Sequence, residues 1–110
     1  MAIDINAILQ TLQTGIENLA KTSLANYITQ AKSDGMDTLN AMKSNLQDWA
    51  TQAAQGQLSA PDLNFLVQGQ ADLVKITALT QAGVAQIQLD QFKQGVITLI
   101  VNTISGLIKV

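Results

Sequence analysis

The sequence predicts an all-α protein: an antiparallel helical hairpin (about 4–32 and 36–55) packed on a long third helix (about 60–108). Three observations carry that reading. Apolar residues recur at steps of three and four along nearly the whole chain, which is the period of one helix face. Strong turn signals gather at two places only, Lys32-Ser33-Asp34-Gly35 and the stretch from Gly56 to Pro61. Beyond Leu63 no proline interrupts the pattern. At 110 residues the chain is read as one helical domain, 1–110.

The first helix begins at Asp4, a good N-cap. It carries Ile5, Leu9, Leu12, Ile16, Leu19, Ser23, Tyr27 and Ala31 on one side. Gly15 weakens it by about 1 kcal/mol relative to alanine. Asp34-Gly35 is read as the turn that ends it. The second helix presents Leu39, Met42, Leu46, Trp49 and Ala53 in heptad-like spacing, and Gly56 suits its C′ position. The short connection folds the two helices back on each other.

The third helix has the best-specified start. Ser59 is the N-cap, Pro61 sits in the first turn, and Asp62 completes a capping box. Leu58 and Leu63 form a hydrophobic staple across it. From there a stripe runs through Val67, Ala71, Val74, Ala78, Ala82, Ala85, Leu89, Phe92, Val96, Leu99 with Ile100, Thr103 and Leu107 to Val110. Leu63, Val74, Ala85, Val96 and Leu107 recur every eleven residues, a spacing that keeps a helical stripe nearly straight. A continuous helix of this length would be on the order of 70 Å long. A compact chain of this size has a radius of gyration of only about 13 Å. The surplus is expected to lie against a second copy. The alternative is a four-helix bundle with a break near Gly83 or Gly95. A second strip (Leu66, Leu73, Ile76, Thr80, Val84, Ile87) makes the segment apolar on two sides, as expected of a helix sandwiched between partners.

The stretch from Val96 to Val110 is apolar over about 200° of the helical wheel. Thr98, Asn102, Ser105 and Lys109 form its polar strip. So broad a face has three destinations: the chain's own core, a self-association surface, or a membrane. A surface-lying membrane helix normally has a strongly basic polar face. Here that face holds Lys109 alone, which favours protein packing.

Composition narrows the function. The charged fraction is 13%, against about 25% for an average globular protein. Net charge is −2 and the six lysines are scattered, so no footprint for nucleic acid exists. There is no Cys, His or Arg, and Glu17 is the only glutamate. Thiol chemistry, the usual proton shuttle and the guanidinium fork are thereby excluded. The isolated Gly69 and Gly83 make no phosphate loop. Asp34 and Asp37 are too few for a metal site and read as helix-capping residues. Asp72 with Lys75, and Asp90 with Lys93, read as solvated surface pairs. Tyr27 reads as a core-edge residue and Trp49 as a packing anchor. No catalytic residue, metal, cofactor or small-molecule substrate is assigned.

The expectation is therefore a non-enzymatic structural or interaction protein that self-associates through its apolar C-terminal helix into a homo-oligomer or filament. The residues expected to carry this are Leu89, Phe92, Val96, Leu99, Ile100, Ile104, Leu107 and Ile108. The alternative is a membrane-active helical protein, pore-forming or bound to a lipid surface. A third class, an enzyme or small-ligand binder, would have only Tyr27, Lys21 and the aspartates as tools. The N-terminal residues lack the basic and apolar regions of a secretory signal, so a cytoplasmic location or signal-independent export is expected.

Overall fold

A computed structural model describes residues 4–108, and among them every regular element is helical. The fold is all-α. The helices are α1 (Ile5–Ser23), α2 (Ile28–Ala54), α3 (Ala60–Gly69), α4 (Thr77–Gln81) and α5 (Gln86–Ser105), with single 3-10 turns at Ala25–Tyr27 and Ala71–Leu73. α1 packs on α2 and α5, α5 also packs on α3, and α4 lies on α2. The bundle measures 42 × 23 × 21 Å. Val110, the last residue of the predicted stripe, and Lys109 lie outside the described residues.

Asp4 caps α1 as its sequence position predicts: one carboxylate oxygen accepts from the amides of Asn6 (3.1 Å) and Ala7 (3.2 Å). The helix then ends at Ser23, nine residues before the predicted turn. Leu24 leaves helical geometry at φ −137°, ψ 50° and buries its side chain; one 3-10 turn later α2 begins. The predicted first helix, 4–32, is corrected accordingly. The apolar period stays in phase across Leu24, so the pattern conceals the turn.

Asp34-Gly35, the expected turn, lies inside α2. Gly35 is needed there for proximity, since a Cβ on it would sit 2.6 Å from Cγ2 of Ile16 on α1. α2 ends in a Schellman motif. The Gln57 amide donates to the Gln52 carbonyl (2.9 Å) and the Gly56 amide to that of Ala53 (3.1 Å), with Gly56 at φ +75°. The predicted end at Gly56 holds. So does the start of α3. Ser59 Oγ accepts from the Asp62 amide at 3.3 Å, Pro61 occupies the first turn, and Leu58 and Leu63 are both buried.

The predicted third helix, 60–108, is not continuous. It stops at Gly69, passes through a 3-10 turn and an extended stretch at Val74, re-forms as the five-residue α4, and breaks again at Gly83 (φ +86°) before α5. The physical reason is burial. Val74, Leu79 and Val84 all point into the core at intervals of five, which no single helix face provides. Folding back also keeps the segment within the bundle, where a rod would leave two apolar sides in water. The break near Gly83 named in the alternative reading is present. At Gly95 the helix runs on.

α5 buries Leu89, Phe92, Val96, Ile97, Ile100 and Ile104. Two close approaches join it to α1. A Cβ on Gly95 would lie 2.7 Å from Leu19, and one on Gly15 would lie 3.0 Å from Leu99. As the position rises along α1 it falls along α5, so the two helices run antiparallel.

Gly35→Ala should destabilise the fold by about 1–3 kcal/mol in urea unfolding, because the branched Ile16 cannot swing its Cγ2 away. Adding Ile16→Ala should make the double variant more stable than the summed single losses predict.

Candidate functional site

Five of the eight residues expected to carry self-association, Leu89, Phe92, Val96, Ile100 and Ile104, lie in the core of their own chain. Leu99, Leu107 and Ile108 are half-buried. Leu99 and Leu107 reach the surface along the seam between α1 and α5.

The seam follows from sequence. Glycine on each helix faces leucine on the other, Gly15 beneath Leu99 and Gly95 beneath Leu19, so the backbones approach closely and the leucines lie flat across the junction. An open cleft of about 660 Å³ lies over this floor, rimmed by Asn18, Thr22, Gln91, Gln94 and Thr98. A second cleft, about 400 Å³, continues along the seam between Thr11 on α1, Thr103 on α5 and Leu107 in the turn just after it. No ionisable side chain lines either one. The charges of these helices lie elsewhere: Lys21 pairs with Glu17 at 3.4 Å, and Asp90 accepts from Gln86 Nε2 at 2.9 Å. The predicted pairing of Asp90 with Lys93 is thus replaced by a bond to the glutamine one turn earlier.

A buried polar clamp lies between α2 and the chain after α3. Asp34 is 1% exposed, and its two carboxylate oxygens accept separately from the amides of Ala78 and Leu79, both at 2.9 Å. These amides open α4, whose own N-cap residue, Ile76, provides no side-chain acceptor. One turn along α2, the fully buried Thr38 donates to the Asp34 carbonyl (2.8 Å) and accepts from the Lys75 amide (2.7 Å). Asp34 is a capping residue, as its type suggests, but for a helix 44 positions away rather than its own. The sequence did carry a signal. Asp34 and Thr38 share the apolar face of α2 with Ala31, Leu39 and Met42, where an unpartnered polar pair would be costly.

The other singled-out residues are dispersed. Trp49 is buried on α2 and Tyr27 half-buried at the α1–α2 turn. Asp37 is exposed. Phe65 on α3 and Ile87 at the start of α5 are exposed, at 77% and 67%. Among the described residues no cluster of acidic side chains is arranged to hold a metal ion, and no helix is long and apolar enough to cross a membrane. The chain matches no protein family, curated protein or solved structure to which it was compared.

Removing the Asp34 carboxylate leaves two amides without acceptors. Asp34→Ala should lose roughly 3 kcal/mol in chemical unfolding, and Thr38→Val about 1–2 kcal/mol. Asp34→Asn, which keeps one acceptor, should fall between wild type and Asp34→Ala.

Proposed function

We propose that this chain is a non-enzymatic structural protein that self-associates, the seam between α1 and α5 being the surface that meets a second copy. The observation that carries the reading is the pair of neutral clefts along the seam, the larger floored by Leu19 and Leu99. Interface cores are depleted of charge, because a charged group must be desolvated before it can pack. The seam imposes no such cost. It is also compatible with itself: two copies related by a two-fold axis would bring the same side chains together, and an uncharged surface does so without like-charge repulsion.

The threonine, asparagine and glutamine rim supports the same reading. These side chains hydrogen-bond to water when alone and to one another across a contact. The low charge of the whole chain agrees, since a protein designed to remain solitary usually carries more. The C-terminal helix keeps the role expected from its sequence in narrower form. Leu99 and Leu107 face the partner, while Leu89, Phe92, Val96, Ile100 and Ile104 hold α5 in place so that they can.

Light scattering over a concentration series should show mass rising above that of one chain. Gln94→Lys with Thr98→Lys should weaken this association at least about tenfold through like-charge repulsion, with thermal stability unchanged because both sites are rim positions. A wild-type mass fixed at one chain at every concentration would rule the reading out.

A further inference from the structure

We infer that α5 can be exchanged between two copies: the turn at 82–85 straightens, α4 and α5 fuse into one helix, and each α5 fills the seat vacated in the other copy. The inference rests on the self-association reading and adds a second, separable contact to it.

The first observation is a helical face that the compact chain leaves unused. The buried positions of α5 (Leu89, Phe92, Val96, Ile100 and Ile104) follow steps of three and four. The same steps continue upstream through Ala85, Ala82 and Ala78 with no change of phase. In the compact chain Ala82 and Ala85 are exposed and lie outside any helix. The residues of the turn are thus already patterned for the helix that would replace it. Their small side chains would let two such helices pass closely.

The second is how little holds the turn. Gly83 sits at φ +86°, and the position a Cβ would take has no atom within 4 Å. Two backbone bonds close the turn, Gly83 to Thr80 (3.1 Å) and Val84 to Leu79 (3.2 Å), and Val84 is its one buried side chain. The two sides of this hinge are unequal. α4 is fixed to α2 by the Asp34 carboxylate, so the part that swings is α5.

The third is the seat. A freed α5 would expose an apolar face that cannot remain in water. The seat offered by α1, α2 and α3 of a second copy is identical to the one it left, so each core contact is remade between chains. Only the turn differs between the two forms. Exchange of an identical element through such a hinge is a low-cost route to a dimer.

Amide hydrogen exchange on the separated dimer and monomer tests this. In the exchanged dimer the amides of Ala85 to Ile87 gain helical acceptors, so they should exchange at least about tenfold more slowly than in the monomer. Gly83→Ala, which disfavours positive φ and favours helix, should raise the dimer fraction at least about tenfold at fixed concentration. Gly83→Asn, which tolerates the left-handed turn, should stay close to wild type. A dimer whose 85–87 amides are unchanged, and which the double-lysine seam variant dissolves, overturns the exchange and leaves the seam reading standing. A dimer with protected 85–87 amides that withstands the double-lysine variant supports exchange and removes the seam as its cause. Absence of any dimer, in wild type and in Gly83→Ala, overturns both. If Gly83→Ala does not fold, the amide measurement on wild type still decides.

Discussion

The arrangement after α3 depends on one carboxylate. Once the helical stripe breaks at Gly69, backbone amides that a continuous helix would have satisfied internally need acceptors inside the protein. Asp34 receives two of them and Thr38 a third, from a helix laid down more than thirty residues earlier. With those bonds in place, Val74 and Leu79 can turn inward and the chain can fold back within the bundle. Without them the same segment would have more reason to remain helical and extend into solvent. A pair of polar side chains on an apolar face thereby sets the direction of the chain's second half.

Much of the fold was legible in the sequence, where local chemistry was the deciding term. Asp4, Gly56 and the Ser59–Pro61 junction behave as their residue types dictate, because capping and left-handed termination are decided within four or five residues. The errors share a cause: periodicity reports which side of a helix is apolar, not whether the helix is continuous. The stripe stays in phase across the Leu24 turn, which therefore did not show as a break, and across the Gly83 turn, where a break was named only as the alternative. Asp34-Gly35 has the composition of a turn, but its glycine admits Ile16 and its aspartate caps a distant helix. Those roles depend on partners that only the folded chain brings near. The seam was legible in part. Leu99 and Leu107 were named for self-association, while the contribution of α1, through Gly15 and Leu19, was not.

The surface follows from the same economy of charge. Ionisable groups on α1 and α5 lie to the sides, and the junction between these helices is left to leucine, glycine and uncharged polar residues. Such a junction suits contact with a like surface. In the exchange proposed above, by contrast, two copies meet through the interior rather than the exterior. Seam contact leaves each subunit intact, whereas exchange opens it. If both operated, exchanged pairs would still present their seams outward and could be joined further, which is compatible with either closed or open assemblies.

The Asp34 clamp also has a consequence for the order of events as the chain acquires its form. Its bonds join positions 44 and 45 residues apart, whereas α1 and α2 meet across a short connection. Closing the longer loop costs more chain entropy, and its reward comes only when Asp34 is already held on a formed α2. Contact order therefore predicts that the N-terminal pair forms first and that the last helix, which must find α1 from the far end of the chain, docks late. On that order the nascent chain passes through a stage in which its greasiest segment is complete but homeless, the moment at which the exchange proposed above would find a neighbour's vacant groove as near as its own.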